Sequence, residues 1–299
     1  MLDCSKNYVF SLPVFLRPLY TLCAHTMKIT QAILPVAGLG TRFLPWTKVV
    51  PKELLPIGNQ PIIAHLVNEC IDSGITDICF VINKGKEAIP EYFFGNPALE
   101  KELEKRGKLH HLEDLKKYDA VNFHTVYQDE QLGDGHAILQ ALDWIDDAPT
   151  AILFGDDLFT GGETGLQQLV RAYENLEDGA AVLALESIAR EFTSQYGIVD
   201  VASEHEQNAR LKKLKGMVEK PAPENAPSTL SIVGRYIIPR STFSVLPEIG
   251  KDHGGEIRLI DALIAQLDSI PIYGLECEGI RLDTGTPEGY AKAVQTWNA

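Results

Sequence analysis

A chain of 299 residues, 45% hydrophobic and 23% charged, has enough apolar material for one or two globular domains with a substantial core. Its formal net charge of −14 argues against nucleic acid and anionic membrane surfaces as partners, so a polyanionic substrate must find a local cluster of cations on an acidic body. No uninterrupted apolar stretch is long enough to cross a bilayer. The five cysteines (Cys4, Cys23, Cys70, Cys79 and Cys277) are scattered without a Cys-x-x-Cys spacing, which fits reduced cytoplasmic thiols better than a disulfide framework or a zinc site.

The segment 9–24 is apolar but interrupted by Pro13, Arg17 and Pro18 and lacks a basic leader region. Residues 1–26 therefore read as an N-terminal extension or a misassigned start, with no catalytic role. The apolar run 32–36 reads as a buried parallel strand. It breaks into Gly38 and Gly40, where the backbone can turn sharply and approach a ligand closely. Successive amide groups in such a turn form an anion-binding hollow. Arg42, Lys48 and Lys52 follow, and a glycine turn with spaced cations suits a nucleoside triphosphate. Neither standard glycine motif fits. The P-loop spacing is absent, and the dinucleotide fingerprint would need glycine where Phe43 stands. A bare Gly-x-Gly is more often only a strand-exit turn; Arg42 and the segment Pro-Lys-Glu-Leu-Leu-Pro at 51–56 tip the balance toward nucleotide.

Residues 61–74 have helical spacing through Ile62, Leu66 and Cys70, and Gly74 can supply a left-handed stop. With the strand 77–82 they form a strand–helix–strand unit, which normally crosses over right-handed in a parallel sheet. The charged stretch 84–119 predicts one solvated helix over 98–115, and its His110-His111 pair has no further ligands at metal spacing. A third strand, 121–127, runs into Gln128-Asp-Glu-Gln-Leu-Gly-Asp-Gly-His136. A polar amide beyond the carboxyl end of a strand is well placed to read a base edge, although a polar loop turning on Gly133 and Gly135 is the plainer reading.

A helix over 136–147 and a strand over 151–154 lead to Gly155-Asp156-Asp157. A carboxylate at that strand end would serve Mg²⁺, which favours one or two carboxylates plus waters and phosphate oxygens. Acidic pairs also cap helices and turns. A helix (164–176), a strand (180–186) and a short strand containing Gly197 (195–200) follow. The charged stretch 204–215 then reaches Met217-Val-Glu-Lys-Pro221, where Glu219 and Lys220 could form an exposed ion pair. After a proline-rich loop at 222–228, the strand 230–238 carries Val233-Gly-Arg-Tyr236. A helix begins at Gly255, with Ile257, Ile260, Leu263, Ile264 and Leu267 on one face. Arg281-Leu-Asp-Thr-Gly285 precedes a last helix opening near Pro287, which Asp283 is placed to cap.

Gly38-Leu-Gly-Thr-Arg-Phe-Leu-Pro45 followed by Pro51-Lys-Glu-Leu-Leu-Pro56, with the later motifs in order, resembles the signature of the sugar-phosphate nucleotidylyltransferases, and within them the bacterial uridylyltransferase branch. The similarity runs from about residue 27 to the C-terminus. It implies an α/β fold with a Rossmann-like, mostly parallel central sheet flanked by helices. It also implies a single domain at 27–299, with 27–190 mainly the nucleotide half and 191–299 mainly the sugar-phosphate half. The implied activity transfers UMP from UTP to glucose 1-phosphate, giving UDP-glucose and pyrophosphate, with Mg²⁺ as cofactor, in a cytoplasmic homo-oligomer.

Carried onto this chain, the resemblance assigns Ala37, Gly38, Gly40, Gln128, Gly133 and Gly135 to the nucleotide. Gly197 and Glu219 fall to the sugar hydroxyls, Lys220 to the sugar phosphate, and Asp156 and Asp283 to the metal, with Arg42, Lys52 and Lys220 catalytic. Asp157 would support Asp156. Thr286-Pro-Glu288 departs from the asparagine or aspartate plus lysine of the uridylyltransferase branch and looks like sibling enzymes. A thymidylyl- or cytidylyltransferase therefore stands as an alternative, since Gln128 would read uracil and thymine alike. So does a non-catalytic regulatory homologue that binds nucleotide sugars, although such a protein should have lost one of the charged positions that are all present here.

Overall fold

In the computed structural model residues 28–249 and 256–297 are described. The extension at 1–26 and the helix start at Gly255 lie outside them. Elements follow in chain order. The first half contains β1 (Gln31–Pro35), the two-residue strands β2 (Pro56–Ile57) and β3 (Gln60–Pro61), α1 (Ile62–Asp72) and β4 (Asp77–Ile82). Three short helices, α2 (Ala88–Glu91), α3 (Pro97–Lys105) and α4 (His110–Lys116), lead to β5 (Asn122–Tyr127), α5 (Asp134–Leu139), β6 (Thr150–Leu153) and β7 (Asp157–Thr160). Then come α6 (Gly165–Tyr173), β8 (Ala181–Ser187), β9 (Gly197–His205), β10 (Asn208–Glu219), β11 (Leu230–Ile238), α7 (Arg240–Val245) and α8 (Leu259–Ala265). The chain closes with β12 (Ile272–Glu276), β13 (Ile280–Asp283) and α9 (Pro287–Trp297).

Nine strands make one sheet in the order β5-β4-β1-β6-β11-β8-β12-β10-β9. The strands β1, β4 and β6 read as continuous apolar runs because both their faces are covered. Their side chains alternate between two cores. Ala32, Leu34, Ile78, Phe80, Ile82, Ala151 and Leu153 pack with Ile63, Leu66 and Val67 of α1 and Leu166 and Leu169 of α6. Ile33, Cys79, Val81 and Ile152 pack on the other face with Ala137 and Ile138 of α5 and Leu259, Ala262 and Leu263 of α8. The three described thiols, Cys70, Cys79 and Cys277, are free. Among the described residues no helix is long and apolar enough to cross a membrane.

The α/β architecture agrees with the expected fold, and the expected parallel pairing is found in β5-β4-β1-β6 and again in β8-β12. Beyond β6 the sheet is otherwise antiparallel: β11 runs against β6 and β8, and the β9-β10 hairpin closes the far edge. "Mostly parallel" therefore holds only for the first half. The hairpin was hidden because β10 exposes Lys213 and Lys215, and shifts in register against β9 put Leu211 and Lys212 inward together. This broke the alternation that marks a strand. The single helix expected over 98–115 is two, because Gly107 turns left-handed at φ +67° and ends α3. The helix expected over 136–147 begins earlier, at Asp134, and stops at Leu139 before a run of turns. The strands β7, β12 and β13 had no reading of their own. β7 and β13 pair with each other off the main sheet and carry Asp157 and Asp283 into register.

Candidate active site

Beyond the carboxyl end of β1 the chain is held by three side chains from elsewhere. Lys86 donates to the Val36 carbonyl at 2.7 Å. Asn83 donates to the Ala37 carbonyl at 2.6 Å, and Gln131 reaches the same oxygen at 3.4 Å. A Cβ added to Gly38 would meet nothing within 4 Å, so the loop has open space above it. Gly40 adopts φ +63°, and its carbonyl accepts from the Thr47 hydroxyl at 2.8 Å. Three single-turn helices, Thr41–Phe43, Trp46–Lys48 and Lys52–Leu54, then carry Arg42, Lys48 and Lys52. Arg42 and Lys48 are exposed, and the Arg42 guanidinium reaches the Gly285 carbonyl at 3.4 Å.

Lys52 Nζ lies 2.7 Å from Asp156 Oδ2. Burial alone would lower its pKa, but Asp156 and then Glu53 outweigh burial and hold the ammonium above its ordinary value. Glu53 itself is buried against Lys86, whose Nζ is 2.9 Å from one carboxylate oxygen and 3.1 Å from the other. Burial lowers the Lys86 pKa, with Glu53 opposing it. Sequence reading missed Lys86, the second lysine of Lys84-Gly-Lys-Glu87, four residues past the end of β4.

The acidic loop between β6 and β7 packs onto this glycine loop. A Cβ on Gly155 would stand 3.2 Å from Val36 Cγ1 and 3.4 Å from Glu53 Cγ. Arg235 of β11, fully buried, grips the loop from below. It pairs with both oxygens of Glu69, at 3.1 and 2.9 Å, and donates to the carbonyls of Phe154 (3.2 Å), Gly234 (3.1 Å) and Asp157. Glu69 also accepts from the Leu166 amide at 2.8 Å, which ties α1, β11 and the start of α6 together. The sequence motif Val233-Gly-Arg-Tyr236 therefore carries a structural anchor for which sequence reading had no role.

Asp157 accepts from the Gly234 amide at 2.9 Å and from Arg281 Nε at 2.6 Å. Thr284 fixes the Asp156 carbonyl through its amide at 2.7 Å and its hydroxyl at 2.8 Å. Asp283 does not cap α9. Its Oδ1 accepts from the Gly285 amide at 2.8 Å, and the cap is Thr286, whose hydroxyl accepts from the Gly289 amide at 3.0 Å. At Gly285 a Cβ would stand 2.9 Å from Asp156 Oδ2 and 3.0 Å from Asp283 Oδ1, so the two carboxylates converge over a residue with no side chain. Tyr196 reaches Asp283 Oδ2 at 3.4 Å, and Arg281 lies over the Tyr196 ring.

Gly197 of β9 faces Glu219 of β10, and a Cβ there would stand 3.1 Å from Glu219 Oε2. Lys220 follows at φ +48°, with its amide bonded to the Tyr196 carbonyl at 3.0 Å and Nζ 3.3 Å from Glu219 Oε1. Arg42, Asp156, Lys220 and Asp283 line one cleft of about 580 Å³ with Asp134, Tyr196, Tyr236 and Arg281. Ala37, Gly38, Gly40, Gln128, Gly133 and Gly135 are not in its lining, nor are Lys52, Gly197 and Glu219, which stand behind its walls beside Asp156 and Lys220.

The loop after β5 differs from expectation in what its glycines face. Gly133, at φ +101°, and Gly135 both lie against the backbone of 257–258, with Gly135 N donating to the Ile257 carbonyl at 2.9 Å. Their missing side chains let two protein segments meet. Gln128 is buried, and its amide donates to the Gly133 carbonyl at 3.0 Å and approaches His136 Nδ1 at 3.1 Å. Sequence reading also passed over Asp134. Burial pushes its carboxyl up to about 6, against the Leu259 and Gly135 amides that favour the ionised form.

The nucleotidyl transferase family profile matches residues 31–298. The chain is 40% identical over 267 residues to a UTP–glucose-1-phosphate uridylyltransferase of Bacillus subtilis, covering 89% of this chain and 88% of that protein. The fold superposes with a TM-score of 0.82 on a UTP-bound UDP-glucose pyrophosphorylase from Acinetobacter baumannii, at 35% identity over 90% of this chain and 93% of that one. A UDP-glucose pyrophosphorylase complexed with UDP-glucose gives a TM-score of 0.79 at 32% identity, over 90% and 98% of the two chains. A converging pair of carboxylates, the cations around them and a match over nearly the whole chain lead to one conclusion: this chain belongs to the nucleotidyl transferase family.

Proposed function

We propose that this enzyme transfers UMP from UTP to glucose 1-phosphate, releasing pyrophosphate and forming UDP-glucose. The observation that carries the reading is the meeting of Arg42, Lys220, Asp156 and Asp283 on one cleft, with Lys52 bonded to Asp156 behind it. The relatives' uridylyltransferase activity supplies the nucleotide and the sugar. The departure at Thr286-Pro-Glu288 loses its weight as a sign of a different substrate, because Thr286 has a structural task in capping α9.

In this reading an oxygen of the sugar phosphate attacks the α-phosphorus in line, and pyrophosphate leaves from the opposite side. The nucleophile is already ionised at neutral pH, so the site needs no general base, and positioning with charge neutralisation carries the rate. Arg42 and Lys52 hold the leaving pyrophosphate, and Lys220 aligns the attacking phosphate, with Gly197 and Glu219 at the sugar. Ala37, Gly38 and Gly40 give backbone contacts to the phosphates, and the loop of Gln128, Gly133 and Gly135 faces the base.

Asp156 and Asp283 fit a divalent cation such as Mg²⁺, because both carboxylates meet over bare Gly285 and leave the remaining positions to water and phosphate oxygens. When bound, the metal would neutralise charge at the α-phosphate. We further read 27–299 as one domain with nucleotide and sugar halves, and the protein as a cytoplasmic homo-oligomer. The reaction is tested by pyrophosphate release with glucose 1-phosphate and Mg²⁺, offering UTP, dTTP, CTP, ATP and GTP separately with chelator controls. A strong preference for UTP supports the proposal. Preference for another nucleotide moves the chain to a sibling activity, and no release with any nucleotide overturns it.

A further inference from the structure

The cleft contains one carboxylate for which the transfer chemistry has no use. Asp134 opens α5 where the base loop meets the sugar half, and its Oδ1 accepts from the Leu259 amide at 2.9 Å. That bond pins the side chain to the start of α8. The other oxygen has no side-chain partner among the described residues and is not one of their buried, unbonded polar atoms, so it opens onto the cleft. The Asp134 charge acts on the buried Tyr236 of β11 and is opposed by that of Glu219 at the end of β10, both in the sugar half, and the cleft lining it shares includes Ile232, Gly234 and Lys220 beside Arg42, Phe154 and Asp156.

Among the described residues no cation is bonded to Asp134. The nearby Arg258 guanidinium is held by both oxygens of Asp261, each at 2.9 Å, and Glu219 adds a second negative charge on the same side. A desolvated carboxylate without a counter-ion costs stability, and chains keep such groups where a ligand makes use of them. A phosphate would be repelled there. A polyhydroxylated ring, offering neutral hydrogen-bond donors, would satisfy the open oxygen.

We propose that Asp134 is a specificity-determining residue that accepts a hydrogen bond from a ring hydroxyl of the hexose, alongside Glu219. The proposal rests on the reaction given above for its choice of sugar. Asp134→Asn is the decisive variant: its carbonyl oxygen can still accept from Leu259 N, while the cleft-facing acceptor becomes a donor. Losing one hydrogen bond to a charged group corresponds to roughly a tenfold weakening. In steady-state assays the Asn variant should therefore raise KM for glucose 1-phosphate about tenfold, with KM for UTP within about twofold of the parent.

Its melting temperature should not fall, because the desolvated charge is removed. An unchanged KM for glucose 1-phosphate, or an equal rise for UTP, overturns the proposal. Parental turnover of UTP with glucose 1-phosphate tests the reaction itself, and the ratio of variant to parent tests Asp134. Calorimetric binding of UDP-glucose and of UMP to both proteins reads the same contact without turnover. A loss confined to UDP-glucose supports a hexose contact; a loss shared by UMP, or none, overturns it.

Discussion

The proposed nucleotide and sugar sides of the cleft are built by opposite means. On the nucleotide side the loops after parallel strands are clamped from within by buried ion pairs, Lys86–Glu53 beneath the glycine loop and Arg235–Glu69 beneath the acidic loop. On the sugar side Glu219 and Lys220 sit at the end of an edge hairpin where the nearby pairs, Lys215–Asp200 and Lys220–Glu219, are largely exposed. Lys220 is placed by its backbone, through the Tyr196 carbonyl and a left-handed φ, and its side chain is 60% exposed. The difference separates two tasks. Phosphate charge must be met by groups already in place, whereas a sugar phosphate can complete the order of a looser side as it binds.

Removing one clamp is the most severe way to break that contrast. Glu69→Ala would leave the Arg235 guanidinium buried without its carboxylate, which costs about 3–5 kcal/mol. Denaturant unfolding should show that loss, while Lys220→Ala, which touches only an exposed pair, should change stability by less than about 0.5 kcal/mol. Equal effects would mean that both sides are held alike. Next in size is Lys52→Ala. If Lys52 grips the leaving pyrophosphate, its loss should lower kcat by about 10²–10³-fold, as removal of one preorganised donor does. A smaller fall than with Lys220→Ala would reverse the proposed division of labour.

The same contrast decides what was legible in the sequence. β1, β4 and β6, buried on both faces, announced themselves as apolar runs, and Gly38, Gly40 and Asp156 stand at their carboxyl ends as a parallel sheet requires. The edge hairpin did not announce itself, because Lys212 turns inward between Glu204 (2.7 Å) and Glu276 (3.2 Å), and bulges erase the period of two. Arg42, Lys52, Asp156, Lys220 and Asp283 were singled out through motif resemblance, since no spacing in the chain says that residues 42 and 285 touch. Lys86, Arg235 and Asp134 were missed for one reason. A charge is legible as buried only once its partner or its absence is known, and those partners lie 33 and 166 residues away for Lys86 and Arg235.

Asp134 sharpens the comparison from the side of pH. Its folded pKa, about 6, lies above the ordinary value of 3.8, so the folded chain holds this proton more tightly than the unfolded one. Stability tied to it is present below pH 3.8 and falls as pH rises through 6. At pH 7.5 the charge should cost up to about 3 kcal/mol, which Asp134→Asn would recover. Urea unfolding of both proteins at pH 4 and 7.5 checks this. The Asn variant should gain mainly at the higher pH, and a gain of equal size at both would trace the effect to packing.

The smallest expected effect isolates the backbone device that places Lys220. A side chain at φ +48° crowds its own carbonyl, at a cost of about 1 kcal/mol that glycine escapes. Lys220→Ala and Lys220→Gly remove the same ammonium, so both should lose activity equally, but only the glycine variant relieves the backbone. Urea unfolding should place Lys220→Gly above Lys220→Ala by about 0.5 kcal/mol, because the greater freedom of glycine in the unfolded chain offsets part of the strain relieved. The two variants together thus separate the charge from the conformation that aims it. If their stabilities match, the left-handed turn carries no strain and the hairpin end reaches it freely. If the alanine variant is the less stable, the sugar side, loose in its side chains, is constrained in its backbone at the residue proposed to meet the attacking phosphate.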